Sequence, residues 1–322
     1  VTPPRLSALD ALARGTANVR ANRELVGVQI AGGLLLAASI VVPVLLFLSR
    51  LGIPFSIWSA NDPEAVRQAL ESLRLDFGQV TSMLGLGLLL FLVIGTLVFL
   101  VYCWIQAGTL AVLSAGDAQA PATRLAPAAV FRTFSWAGFF GWASRYGLRI
   151  FWVNNLFMVF LTLALGVLVL PLFLVGRLAE GSGFLVACAA GCGLALPVGF
   201  VMIVLVLAMI VAQICVVEEE ATVRSATRRA FSITGNRLGG LLLLYLLLIV
   251  GSIAVTIAFG GVGFFLKLAL SGSPGVSTAV SALLGLVEFL VSTSLGLVLS
   301  AAIVALVRAE LRREAALARP AA

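Results

Sequence analysis

Six stretches of this chain are continuously apolar, almost free of charge, and longer than the roughly 18 residues a helix needs to cross a hydrocarbon core about 30 Å thick. Lipid offers no hydrogen bonds to a backbone, so a spanning segment must satisfy its own N–H and C=O groups, as a helix or within a closed barrel. Barrel strands alternate apolar and polar residues over segments of about 10, and these runs do not alternate. The sequence therefore predicts an all-α integral membrane protein with six transmembrane helices, arranged as three hairpins, in one polytopic domain spanning residues 1–322. The spans fall at about 25–48, 80–113, 150–175, 184–217, 238–270 and 276–307.

Charge supports the same class. Only 11% of residues are charged, against about 25% in soluble domains. The net charge of +7 is a topology signal rather than a nucleic-acid footprint, because the arginines gather at the ends of the apolar runs. With the N-terminus in the cytoplasm, sixteen basic residues fall on the inner side and five on the outer side (Arg50, Arg67, Arg74, Arg177 and Lys267). The expectation is both termini cytoplasmic, in an inner membrane. Of the basic residues only Lys267 is a lysine, which fits a GC-rich bacterial genome.

Between the spans lie polar, Arg-bearing segments with helical spacing. In residues 1–24, Leu6, Leu9, Leu12 and Val19 define one face of an interfacial helix. Residues 61–75 open as a capped helix, with Asn61 at the N-cap and Pro63 and Glu64 in the first turn. Residues 129–149 combine aromatic rings with Arg132, Arg145 and Arg149, a composition suited to the headgroup zone. Trp136, Trp142 and these arginines are candidate contacts for lipid or for a partner subunit. Arg224, Arg228 and Arg229 on the charged segment that begins at Glu218 belong to the same set. The carboxylates of Glu218, Glu219 and Glu220 would favour the N-terminal end of that helix, with Arg224 one turn beyond Glu220.

The odd-numbered spans share a plan. Each follows an Arg-bearing helical segment and has asparagine near its entry: Asn22, Asn154 with Asn155, and Asn236. Each ends in a basic residue followed by leucine, at Arg50, Arg177 and Lys267. The pattern predicts three repeats of surface helix, span, outer turn and span, set around an axis along the membrane normal. On the fourth span Ala187, Gly191, Ala195 and Gly199 recur every four residues around Pro197, the spacing of a closely packed helix.

One ionisable residue lies deep inside a span. Glu288 joins Ser281, Gly285, Ser292, Gly296 and Ser300 on a small, polar face of the sixth helix. A carboxyl at that depth costs several kcal/mol and needs a partner. A serine-bonded glutamate that locks helix packing is one reading, and proton or cation handling is the other. The chain has no histidine, which removes the commonest metal ligand and general base. Cys103, Cys188, Cys192 and Cys215 all fall in apolar runs and read as small hydrophobes. No metal, cofactor, catalytic group or nucleic-acid partner is implied, and no phosphate-binding loop, dinucleotide fingerprint or nucleophile elbow is present.

Residues 212–248, AQICVVEEEATVRSATRRAFSITGNRLGGLLLLYLLL, resemble the signature region of the membrane domain of glycerophosphodiester phosphodiesterases and its uncharacterised six-helix relatives. Val217 with Glu218, Ala226 with Arg229 to Ser232, and Asn236 with Arg237 carry the resemblance. It implies a six-helix membrane domain without the catalytic barrel, which relies on histidine and acidic residues. The function read from the sequence is a non-enzymatic membrane scaffold or accessory subunit touching lipids and other membrane subunits. A transporter or channel with a site around Glu288 is the alternative, and an intramembrane lipid enzyme ranks third.

Overall fold

The computed structural model describes residues 5–50, 77–121, 126–178, 183–270 and 273–318, and the expected surface helix at 61–75 lies outside them. Every regular element among these residues is helical: α1 (Ala8–Ala21), α2 (Glu24–Arg50), α3 (Phe77–Gln119), a 3-10 turn (Ala128–Phe131), α4 (Trp136–Leu178), α5 (Gly183–Glu218), α6 (Val223–Ala269) and α7 (Pro274–Ala318). Six of the helices are long and apolar enough to cross a membrane. The chain forms two compact units, residues 1–30 with 104–322, and residues 31–103. Among the described residues of the second unit, large apolar side chains of α2 and α3 such as Leu34, Leu35, Leu92 and Leu97 are exposed, a condition suited to acyl chains.

In the first unit α4 packs on α5, α5 on α6, and α6 on α7, while α1 lies against α7. Burial is strongly graded along these helices. Leu297, Leu299 and Ala301 to Val307 of α7 are buried, as are Leu207, Ala208, Val211 and Ala212 of α5 and Ala107 to Leu113 of α3. No described residue from Tyr245 to Gly296 is buried. The protein core thus sits at the end shared by α1, the C-terminal part of α7 and the arginine-rich connections. Helix length explains part of this. The 43 residues of α4 extend about 65 Å at 1.5 Å each, more than a core of about 30 Å accommodates even at a tilt of 40°. The helices therefore project beyond the hydrocarbon, and the projecting ends need protein neighbours.

The surface segments join the spans in three ways. Between α1 and α2 the helix breaks at Asn22 (φ −113, ψ 47). The aromatic segment runs straight into its span as α4, from Trp136 to Leu178. The charged segment and its span form one helix, α6, bent at Arg237 (φ −123, ψ 17). A surface helix ahead of each of these spans was expected; α1 and the charged helix are set off from theirs at Asn22 and at Arg237, as the sequence suggested, whereas the aromatic segment is continuous with its span.

Helix α1 begins at Ser7, whose hydroxyl accepts from the Asp10 N–H at 3.1 Å, and ends near Asn22. Its buried face is small and polar: Ala8, Ala11, Arg14, Gly15, Asn18 and Val19. The expected leucine face is therefore corrected. Leu9 is 60% exposed and only Val19 of that set is buried. The cause is close packing, since a Cβ built at Gly15 would lie 2.7 Å from the backbone nitrogen of Ala302 and 2.8 Å from the Val298 oxygen of α7. Only glycine lets the two backbones approach so closely. Gly15→Ala should cost about 1–3 kcal/mol through overpacking, read as a lowered thermal midpoint in detergent, whereas Ala13→Ser on the exposed side should leave it unchanged.

Candidate functional site

At the arginine-rich end, charged side chains from five helices close over the core. Gly116 and Asp117 lie in the last turns of α3. A Cβ at Gly116 would lie 2.7 Å from Asn18 Oδ1 and 2.7 Å from the Phe131 oxygen, so α1 and the 3-10 turn sit directly against α3. That contact brings Arg14 to Asp117, with Nε at 3.0 Å and Nη2 at 2.8 Å from Oδ1. The Arg14 side chain is 5% exposed and that of Asp117 4%. Arg14 Nη1 also donates to the Pro121 carbonyl at 2.8 Å, and the guanidinium lies 5.5 Å from the centre of the Phe131 ring.

Arg308 of α7 continues the chain of charges. Its Nη1 donates to the Ser114 carbonyl at 2.6 Å and lies 3.8 Å from Asp117 Oδ2, while its Nε is 2.9 Å from Glu218 Oε1 at the end of α5. A second set joins α6 to α7. Arg237 Nε, at the bend of α6, donates to Glu310 Oε2 at 2.6 Å. About two turns earlier on α6, Arg229 Nη2 is 2.6 Å from Glu314, one turn beyond Glu310 on α7, and its Nε is 3.6 Å from Glu219. The bend is therefore held by an ion pair on the neighbouring helix.

Asparagine holds the connection between α3 and α4. Asn22 Nδ2 donates to the Phe131 carbonyl at 2.8 Å, and its Oδ1 accepts from the N–H groups of Thr133 (3.0 Å) and Phe134 (2.9 Å). Asn18 Nδ2 donates to Leu113 O at 2.7 Å. Both asparagines are buried, so each bond satisfies a group that water cannot reach. Asn154 of α4, also buried, accepts from Gln213 of α5. The third expected asparagine, Asn236, is exposed.

The candidate contact residues divide into two groups. Arg132 donates to the Ala21 carbonyl at 2.9 Å and pairs with Glu24 at 2.6 Å. Arg145 pairs with Glu220 at 2.6 Å, and Arg149 donates to the Glu220 carbonyl at 3.0 Å. With Arg229, these arginines tie the chain to itself. Glu220 adopts a positive φ of 52°, a conformation that costs a non-glycine residue energy and that is held here from two sides by α4. The acidic triplet accordingly does not open α6 as expected: Glu218 ends α5, Glu220 lies in the turn, and Thr222 is the N-cap, accepting from Ser225 N. Arg224, Arg228 and Trp136 are exposed, and Trp142 is half-buried. Arg224 and Arg228 have no hydrogen bond or ion pair among the described residues. Of the aromatic segment, Phe131, Phe139 and Tyr146 belong to the core. Trp136 and Phe140 stay exposed, with Phe140 stacked between Trp136 (5.8 Å) and Trp104 (5.3 Å).

Glu288 stands apart from this cluster. Its Oε1 accepts from Thr256 Oγ1 of α6 at 3.1 Å, so the partner comes from the neighbouring helix and not from the serine stripe. Ser292 is half-buried on that stripe and forms no hydrogen bond with Glu288 among the described residues, and Ser300 donates back to Gly296 O at 3.0 Å. Beside Glu288 a cleft of about 360 Å³ opens between α6 and α7, walled in part by Gly260, Gly263 and Gly285, with Ser281 and Lys267 further along it. Lys267 is exposed and has no ion pair among the described residues. Cys188 and Cys192 side chains lie outside the described set, while Cys103 and Cys215 are buried. Among the described residues no group of three His, Cys, Asp or Glu is placed to hold a metal ion.

Sequence reading missed Asp117, Glu310, Arg14 and Arg308 as a set. The signal was an acidic residue at the end of each even-numbered apolar run, at Asp117, Glu218 and Glu310, each of which meets an arginine. Comparison of the chain with protein-family models, with curated proteins and with solved structures returned no match. Asp117→Asn should leave Arg14 short of charge in a buried site and lower stability by about 3–5 kcal/mol, measured by thermal or denaturant unfolding in detergent. Arg224→Gln, on an exposed side chain of α6, serves as the control.

Proposed function

We propose that the protein is a non-enzymatic, multi-pass scaffold or accessory subunit of a bacterial inner membrane, with both termini cytoplasmic and its spans paired as three hairpins. The observation that carries this reading is the use made of the charged side chains. Asp117, Glu218, Glu310 and Glu314 at the arginine-rich end each lie against a guanidinium group of the same chain, an arrangement that supports a structural use of these charges. What remains outward is a set of groups suited to contact: Arg224 and Arg228 on one face of α6, without an ion pair among the described residues, and the exposed rings of Trp136 and Phe140 on α4. Arginine and aromatic rings together suit anionic headgroups and partner helices. The inside-positive count of arginines supports the orientation, and the likeness of residues 212–248 to a membrane domain lacking its enzyme fits the same reading.

A transporter or channel built on Glu288 is the second reading, favoured by the cleft beside that carboxyl. The two readings separate in reconstituted vesicles. The scaffold reading expects no proton- or ion-dependent flux, and expects a photoreactive residue replacing Trp136 or Trp142 to form a discrete adduct with another membrane protein in native membranes. A flux abolished by Glu288→Gln at unchanged stability would replace it with the transporter reading. Residues at position 136 that label only lipid would remove the partner-subunit part.

A further inference from the structure

The cleft between α6 and α7 changes character with depth, and the hairpin fixes the levels. Thr256 bonds Glu288 at 3.1 Å, and a Cβ at Gly263 would touch the Leu284 side chain at 3.8 Å, so the two helices run antiparallel alongside each other. By these two contacts Ser281 lies about one to four residues, or roughly 2–6 Å, deeper than Lys267, and Glu288 lies about eight to eleven residues, or roughly 12–16 Å, deeper. The mouth of the cleft therefore carries the exposed Lys267 ammonium near the α6 C-terminus, and the Ser281 hydroxyl follows below it. Apolar walls of Phe259, Phe264 and Leu284 come next, around a floor without side chains at Gly260 and Gly285. The Glu288–Thr256 hydrogen bond closes the far end.

We infer that this cleft holds one anionic phospholipid of the leaflet at the Lys267 end, with its phosphate on Lys267, an ester carbonyl at the Ser281 hydroxyl, and an acyl chain along the glycine floor toward Glu288. Two features of the cleft agree with that occupant and not with a small ion. An ammonium and a hydroxyl line one end of it, at Lys267 and Ser281, and most of the remaining lining is phenylalanine, leucine and glycine. Anionic charge is specified because Lys267 has no carboxylate partner among the described residues, and because Glu288, the nearest carboxyl along the cleft, is far below it. The inference goes beyond the scaffold reading and stands or falls without it, since it concerns a different face of the protein.

The test uses the full chain reconstituted in phosphatidylcholine vesicles that contain a minor fraction of phosphatidylglycerol bearing a photoactivatable group in its acyl chain, with labelled phosphatidylcholine as the parallel probe. Adducts are located by peptide mass spectrometry. Phosphatidylglycerol should label residues 256–267 and 281–288 in preference to phosphatidylcholine. Lys267→Gln should lower that labelling about fivefold, the effect of one lysine at a membrane surface. Gly285→Leu, at a position where a Cβ meets no atom within 4 Å, should abolish it by filling the floor while the thermal midpoint stays unchanged. Equal labelling by the two lipids, or labelling indifferent to both substitutions, would overturn the inference and leave only the ordinary lipid shell.

Discussion

The organisation of the molecule depends on the cost of burying charge. Each of the spanning helices is far too apolar to solvate an ion, yet Asp117, Glu218 and Glu310 stand where the apolar runs end and the helices are packed together. A carboxylate there is tolerable only beside a cation with further hydrogen bonds, because breaking such a pair costs more than the pair itself contributes. Arg14, Arg308 and Arg237 supply those cations from three different helices. The geometry of the connections follows, since each arginine can reach its partner only if α1 docks on α3 and α7, and if α6 bends where it does.

Packing density and polarity are coupled at this end. Gly15 and Gly116 permit backbone contact that larger residues would block, and the contact in turn removes water from Arg14, Asn18 and Asn22. Along the rest of α6 and α7 the same chain uses apolar side chains directed outward, with no described residue buried between Tyr245 and Gly296. Two environments are thus marked in one structure: protein surrounds the helices at the arginine-rich end, and outward apolar side chains suited to lipid cover the described remainder of α6 and α7. Glu288 is the exception in the lipid-facing part, and its bond to Thr256 illustrates that a polar group in a span takes a partner from a neighbouring helix.

Much of the fold was legible in the sequence because length and hydropathy determine spans almost directly. The starts of α2, α5 and α7, at Glu24, Gly183 and Pro274, lie within two residues of where the apolar runs begin. Periodicity misled at α1, where leucine spacing pointed to Leu9, while the face that packs is chosen by Gly15 and by hydrogen-bond partners more than a hundred residues away. The role of Glu220 was hidden for a similar reason. Its neighbours in sequence suggested a helix start, but its bonds go to Arg145 and Arg149 on α4. Of the site candidates, Glu288 was visible from its charge alone. The Arg14–Asp117 and Arg237–Glu310 pairs were not, because single-sequence reading does not say which helix ends meet.

If buried ion pairs hold the arginine-rich end together, their energies must be coupled. A double-mutant cycle on Arg237 and Glu310, with glutamine replacing each singly and then both, measures that coupling by denaturant unfolding of the purified protein. Each single substitution should be strongly destabilising. The double variant should lose less than the two losses combined, by about 1–3 kcal/mol, because neither partner is then left charged and alone. Losses that simply add would contradict the central role assigned to the pair.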